Sequence, residues 1–351
     1  MKANPKSFLF KIISSVIGIT LLITVVTSYR TYRKIYSPNV MIHNKEAEFL
    51  YIPTGSSIEN VTKLLVDKNY IMDRNSFEWL AEKKKYKFNV KPGRYRIKNK
   101  MSNNELINLL RSGIQVPVKL TFNNVRTVDE FAGVVSRKLE PDSMAILTIL
   151  NNDKVLSEYG FNKSSVPALF ISNTYEMYWN TDVRDFIIRM YKEYNKFWNG
   201  KRRKLASEIG LTPVEVTTVA SIVFEETSRQ SEYSAIAGVY INRIKKGMKL
   251  QADPTVKFAM HNFSLKRIYT KYLEYDSHYN TYKYQGLPPG PICFPSVQVI
   301  DAVLNYEHHK YLYFCAKDDL SGTHNFSTSL MQHNAYARKY QTALDKNSVK
   351  K

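Results

Sequence analysis

Residues 8–27 form an almost unbroken apolar run, from Phe8-Leu9-Phe10 through Ile12-Ile13, Val16-Ile17 and Leu21-Leu22-Ile23 to Val25-Val26, with Lys11 its only charge. About 20 such residues are enough to cross a bilayer, and inside hydrocarbon a single segment satisfies its backbone only as a helix. The run therefore fixes one helix and removes it from the fold of the rest. Lys11 lies near one end, where its ammonium can snorkel to the headgroups. Ser28-Tyr29-Arg30-Thr31-Tyr32-Arg33 is bulky and basic and offers no small-x-small cleavage site, so a retained anchor is expected and not a cleaved signal. Lys2, Lys6 and Lys11 before the run and Arg30, Arg33 and Lys34 after it nearly balance the charge rule for orientation. A ten-residue head is simpler to leave inside, which places residues 30–351 outside the cytoplasm.

The chain has 351 residues, enough for two or three domains, and carries 51 Lys+Arg against 31 Asp+Glu, a formal net charge of +20. Such an excess suits a polyanion. The lysines are dispersed and no nucleic-acid motif occurs, so nucleic acid gives way to anionic lipid or an acidic cell-wall polymer. The seven histidines show no metal-ligand spacing; His308-His309 is an adjacent pair, and no metal is expected. Cys293 and Cys315 are compatible with two buried thiols or with a disulfide, and the sequence leaves that open.

After the anchor, 30–47 reads as a polar linker. Strand and turn come next at 49–55, then a capped helix with Ile58, Val61, Leu64 and Leu65 on one face, and a second helix at 75–84. A turn and strand over 91–97 precede a helix capped by Ser102 and ending near Gly113, and then a strand at 116–122 and a helix at 128–139. Strand-turn-helix thus occurs about three times without close identity, as similar units and not as a true repeat. Helices are expected over 185–197, from Thr212 to Thr227, and over 236–246 with Gly247 as C-cap, then at 297–305 and 330–344, the last two flanking a strand at 311–316. Between them, 250–255, 279–282 and 286–292 read as loops.

The helix after Thr212 carries the most pointed feature. Thr212 can cap, Pro213 suits the first turn, and Glu215 sits where a capping-box acid reaches back. At about 100° per residue, Val216, Val219, Ala220 and Val223 share one stripe, Glu226 falls at its edge, and Glu225 points to roughly the opposite side. A carboxyl beside an apolar wall is raised in pKa and stays able to donate a proton. An ordinary pair of solvated acids is the plainer reading of this segment alone. The residues beyond the helix shift the balance: Asn242, Gln251, Asp253, Asn280, Tyr282, His324 and Asn325 are hydrogen-bonding candidates for gripping sugar rings. Singly, each suits turn chemistry as well, Asp253-Pro254 and Asn280 above all.

The runs Ala220-Ser221-Ile222-Val223-Phe224-Glu225-Glu226-Thr227, Gly238-Val239-Tyr240-Ile241-Asn242-Arg243, Leu250-Gln251-Ala252-Asp253-Pro254-Thr255-Val256, Tyr279-Asn280-Thr281-Tyr282, Gly286-Leu287-Pro288-Pro289-Gly290-Pro291-Ile292, Tyr311-Leu312-Tyr313-Phe314 and His324-Asn325-Phe326-Ser327 are similar, in order and spacing, to the endolytic murein transglycosylase family. The resemblance is specific over 210–345 and extends more weakly over nearly the whole chain. Phe224 stands where family members often carry an acid, His278 where a proline is common, and Asn123-Asn124-Val125 lacks the usual glycine.

The resemblance implies an α+β fold: a transmembrane helix within 1–29, a linker over 30–47, a small LysM-like α/β module over 48–115, a linking α/β region over 116–200, and a mixed α+β catalytic domain over 201–351 with its catalytic glutamate, Glu226, on a helix. It implies a lyase cutting peptidoglycan glycan strands between N-acetylmuramic acid and N-acetylglucosamine, leaving 1,6-anhydro ends and terminating growing strands near the synthases that make them, with no cofactor. Two other readings stay open: a membrane-tethered, non-catalytic wall-binding protein, and a hydrolase of the same bond.

Overall fold

In a computed structural model, which describes residues 5–43, 45–265 and 267–348, the apolar run is one long helix, α1 (Pro5–Tyr36). Lys2 of the basic head lies outside the described residues. An 18-residue stretch of α1 has a mean hydropathy of 2.3, so the helix is long and apolar enough to cross a membrane. Phe10, Ile17 and Leu21 on it are exposed.

The rest of the chain is mixed α and β and divides into two compact units, residues 1–118 with 177–180, and residues 119–176 with 181–351. The first unit continues with β1 (Ala47–Ile52), α2 (Ile58–Asp67), α3 (Arg74–Lys83), β2 (Gly93–Lys98) and α4 (Asn103–Ser112). The two strands pair antiparallel from Ala47↔Lys98 to Ile52↔Gly93. On β2 the alternation of burial sends Gly93, Tyr95 and Ile97 inward. Ser57 with Asn60 and Ser102 with Glu105 form capping boxes that start α2 and α4. The core beneath is Leu50, Ile52, Val61, Leu65, Phe77, Tyr95, Leu106 and Leu110.

The stretch 30–47, expected as a linker, is built otherwise. It is helical to Tyr36, then Pro38 bridges Ser102 and Val40 bridges Ile71. Asn39 is 4% exposed and meets its polar demand internally. Its amide donates to Asp73 O and Asn103 Oδ1, and its own Oδ1 accepts the Asp73 N–H. Asn103 in turn donates to Lys34 O at 3.0 Å. The end of the apolar helix is therefore fastened to the first unit.

The second unit is made of β3 (Val118–Phe122), α5 (Val128–Ser136), α6 (Ser143–Leu150), α7 (Asp153–Ser157), β4 (Asn173–Met177), α8 (Val183–Phe197), α9 (Gly200–Ile209), α10 (Pro213–Glu226), α11 (Tyr233–Lys245), α12 (Asp253–Ala259), α13 (Thr270–Leu273), α14 (Val297–Leu304), β5 (Tyr313–Ala316), β6 (His324–Ser327) and α15 (Leu330–Ser348). Strands β3 and β4 form one two-stranded sheet and β5 and β6 another. No boundary between compact units falls near residue 200. Asp253, expected in a turn, instead opens α12, because Pro254 sits in the first turn, where its missing N–H costs nothing.

Helix α10 is the axis of this unit and packs against α9, α11, α12 and α14. Its capping box is the one that Thr212 and Glu215 announce. Burial does not stop at the expected stripe: Thr217, Thr218, Ser221 and Ile222 are buried along with Val216, Val219, Ala220 and Val223. The hydroxyls are tolerated because Thr217 and Thr218 donate to carbonyls one turn back. Ser221 does more. It donates to Thr218 O and accepts the Ile292 N–H at 2.9 Å, tying the proline-rich loop to the helix. Phe294, just beyond, stacks on Phe131 with ring centroids 4.9 Å apart. Gly290 in that loop has no room for a side chain, since a Cβ there would lie 1.9 Å from Ser164 O.

Candidate active site

Glu226 is the last residue of α10, where the buried helix reaches open space. A cavity of about 400 Å3 opens beside it, of a size suited to small-molecule and sugar ligands. Tyr240 and Arg243, three residues apart on one face of α11, form one wall. Gln251 comes from the segment just before α12 and Asp253 from its first residue, Tyr282 from the 279–282 loop, Tyr313, Phe314 and His324 from the β5–β6 hairpin, and His333 from α15. A second cavity, of about 660 Å3, also has Glu226 in its wall, together with Asn124, Arg126, Glu130, Glu225 and Gln230.

The segments that bring these groups together are held by buried polar contacts. Ala252 N–H donates to Thr281 Oγ1, and Gln251 N–H to Thr281 O. Thr255 Oγ1 donates to Ala252 O and lies 2.9 Å from Thr281 Oγ1. Asp253 and Tyr282 thereby face one another, and the Tyr282 hydroxyl donates to Asp253 Oδ1 at 2.6 Å. Arg243 is 7% exposed and donates from Nε to Leu312 O at 2.7 Å and from Nη1 to Leu250 O. It also stands over the Tyr313 ring.

The electrostatics single out Glu226. Protein atoms surround its carboxyl on most sides, although the side chain keeps some access through the cavity. Burial pushes its pKa up to about 7, and Asp253 adds to the rise. The Tyr240 hydroxyl, which donates to Glu226 Oε1 at 2.6 Å, works against it, as do the charges of Arg243 and Lys257. Tyr240 is itself pushed far up by burial and by the neighbouring carboxylate, so it remains a phenol and a donor. Burial, with help from Arg243, lowers the His333 pKa. Its Nδ1 is buried with no hydrogen-bond partner among the described residues. Such a site can supply a proton near neutral pH from one oxygen of Glu226 while Tyr240 occupies the other.

Of the residues singled out in the sequence, Gln251, Asp253, Tyr282 and His324 line the cavity with Glu226. Asn242, Asn280 and Asn325 do not. Asn242 donates to His309 O and Tyr311 O, and the fully buried Asn280 to Leu273 O and Tyr275 O, so both side chains satisfy loop carbonyls. Asn325 pairs with Cys315 across β5 and β6. Both cysteines are free thiols.

Residues 50–339 match the YceG-like family. The chain belongs to that family. An endolytic murein transglycosylase of Bacillus subtilis (strain 168) is 27% identical over 311 residues, covering 82% of this chain and 83% of the relative. A protein of the same name from Streptococcus pneumoniae serotype 2 (strain D39 / NCTC 7466) is 27% identical over 295 residues, which are 76% of this chain and 53% of the relative. The chain thus spans about half the length of that streptococcal protein. A crystal structure of a YceG-like protein from Listeria monocytogenes matches with a TM-score of 0.55 at 27% identity, covering 83% of this chain and 99% of that one.

Inside this family frame, eight residues of the cavity wall were not among the candidates picked out by sequence: Tyr240, Arg243, Tyr313, Phe314, Cys315, Ala316, Leu330 and His333. A signal existed for the first two, since Tyr240 and Arg243 are one helical turn apart within the Gly238–Arg243 run. Gly238 in the same run marks a close approach, because a Cβ there would lie 2.5 Å from Glu307 O.

Proposed function

We propose that this protein is a membrane-anchored lytic transglycosylase that cuts peptidoglycan glycan strands within the chain, with Glu226 as its acid and base. The observation that carries the reading is a single carboxyl group raised to about pKa 7 in a polar, sugar-sized cavity. The other carboxylate in that cavity, Asp253, is engaged by Tyr282. The names of the bacillar and streptococcal relatives support the substrate and the reaction class.

Glycoside hydrolysis generally takes two carboxyl groups, one as acid and one as nucleophile or base. One suffices if the sugar supplies its own nucleophile. Glu226 protonates the bridging oxygen, and the bond from C1 of muramic acid to that oxygen breaks. The C6 hydroxyl oxygen then bonds to C1, and the Glu226 carboxylate takes the hydroxyl proton, which restores the acid and closes a 1,6-anhydro ring without water. Tyr240 steadies the carboxylate through Oε1, and Arg243 supplies a compensating positive charge. Gln251, Asp253, Tyr282 and His324 hold the sugars. Asn242 and Asn280 brace the segments that carry the site, and Asn325 belongs to the β5–β6 hairpin. The reaction needs no cofactor.

Residues 48–115 serve as a LysM-like module that holds glycan and does no chemistry. Its strand–helix–helix–strand core, followed by α4, and a cavity of about 430 Å3, lined by Pro53, Ser56, Asn60 and Lys63, support that role. Helix α1 is the anchor, residues 30–351 lie outside the cytoplasm, and strand termination takes place beside wall synthases.

The deciding experiment is digestion of purified glycan strands with mass analysis of the new ends. Anhydro-muramic ends are expected. Reducing-end muramic acid would make the protein a hydrolase and Asp253 the missing partner. Unchanged strand lengths would leave a wall-binding protein.

A further inference from the structure

The segment immediately after the glutamate helix grips the β5–β6 hairpin with two charged side chains. Arg229 Nη2 donates to Ser321 O at 2.6 Å in the hairpin turn. Glu232 takes hold at the strand itself: Oε1 accepts the backbone N–H of His324 at 2.7 Å, and Oε2 lies 2.8 Å from Nδ1 of the same residue. Both side chains are nearly buried, 11% exposed for Glu232 and 14% for His324. A carboxylate can only accept at that Nδ1, so the ring proton sits there. Nε2, across the ring, has no hydrogen bond among the described residues, and His324 lines the cavity of Glu226.

We propose that Glu232 is a positioning residue that fixes the His324 tautomer, so that Nε2 presents a lone pair to an O–H or N–H donor of the saccharide bound beside Glu226. This rests on the saccharide reading of the site. A buried carboxylate that orients an imidazole from behind is a recurrent device, because the hydrogen bond at one ring nitrogen decides what the other can do. Here the pair is doubly specified. One Glu232 oxygen is committed to a main-chain donor of the very residue whose side chain the other oxygen orients.

That double commitment provides the test. In Glu232→Gln the carbonyl oxygen must stay on the His324 N–H, because an amide nitrogen there would set donor against donor. The amide NH2 then faces Nδ1 and turns it into an acceptor, which moves the ring proton to Nε2. Shape is kept and the polarity offered to the sugar is reversed. In full-length protein labelled with 15N-histidine, the His324 resonance, assigned by its loss in His324→Ala, should report Nδ1 protonated in the wild type and Nε2 protonated in Glu232→Gln. Cutting by Glu232→Gln should fall on the order of 10- to 100-fold in kcat/KM. In a His324→Ala background the same change should cost less than about twofold. Wild-type protein with Nε2 protonated would overturn the proposal whether or not the variant folds. So would an equal loss of rate in both backgrounds, which would mean that Glu232 acts through the hairpin fold. Wild-type-like cutting by Glu232→Gln would overturn it too. A wild type that cuts no glycan would count against the transglycosylase reading, and the tautomer measurement would still decide the pair.

Discussion

Glu225 and Glu226 are neighbours on one helix end, and their surroundings set them to different work. Glu225 turns to Arg126, whose Nη2 lies 3.3 Å from its Oε2, with the arginine 45% and the glutamate 22% exposed. Glu226 turns to a phenol and a cavity, with a pKa lifted to about 7. About 100° of helical rotation separates the two side chains. The difference lies in the surroundings: Glu225 sits in a partly exposed ion pair, whereas Glu226 is walled in beside a neutral donor and its pKa is raised by burial.

The largest way to break that contrast is Glu226→Gln. The amide keeps the shape and the Tyr240 contact and cannot exchange the proton, so cutting should fall by a factor on the order of 10²–10⁴ or more. The same variant should be the more stable protein, and the sign comes from the raised pKa. Between the ordinary carboxyl value of 4.5 and about 7, the folded chain holds a proton that the unfolded chain releases. Stability is therefore lost as pH climbs through this window and stays lost above it. The amide of Glu226→Gln has nothing to titrate. The variant's gain over the wild type should be absent below pH 4.5, grow up to pH 7, and reach at most about 3 kcal/mol beyond. Thermal melts of both proteins at pH 4 and pH 8 measure this; equal melting points at pH 8 would mean that the carboxyl is not strained by burial.

Tyr240→Phe sharpens the comparison from the other side. The tyrosine hydroxyl is the strongest influence holding the Glu226 pKa down, so its removal should raise that pKa further. In the proposed mechanism Glu226 acts first as an acid, so the rate should decline as pH rises through its pKa, near 7 in the wild type. In Tyr240→Phe this alkaline limb should move to higher pH. The rate at its plateau should fall as well, because the carboxylate formed in the first step loses its donor. A limb that stays in place would show that Tyr240 packs against the acid without tuning it.

Legibility from the residues alone divides along the same line. The apolar run, the capping box of Thr212 and Glu215, and the position of Glu226 on its helix are local facts, readable because periodicity and caps act within a few residues. The company Glu226 keeps is not local. Tyr240 comes from the next helix, Tyr282 from a loop, His324 from a hairpin and His333 from the last helix. Polar identity is a mixed guide to these groups. Asn242 and Asn280 have the chemistry of sugar ligands, but buried loop carbonyls need donors too, and the sequence does not say which demand an amide meets. Helix α9 has its signals, Asn199 as N-cap and Gly210 in the left-handed region, but no apolar stripe between them to announce a helix.

Glu225→Gln carries the smallest expected effect and isolates what the cavity does. The pair with Arg126 is partly exposed, and such pairs are worth about 0–1 kcal/mol. Loss of the charge should change the melting point by no more than a few degrees, and added salt should erase the difference. Cutting should stay within about threefold of the wild type, because Glu225 faces the larger cavity and the proposed mechanism takes no proton from it. The informative result is the pH profile. If Glu226 owes its pKa to its own walls, the alkaline limb of Glu225→Gln should coincide with that of the wild type. A limb displaced toward lower pH would mean that the neighbouring charge reaches across the helix end and helps to hold the proton on Glu226. The two glutamates would then be one coupled pair, and the division of labour between the two faces of the helix would fail.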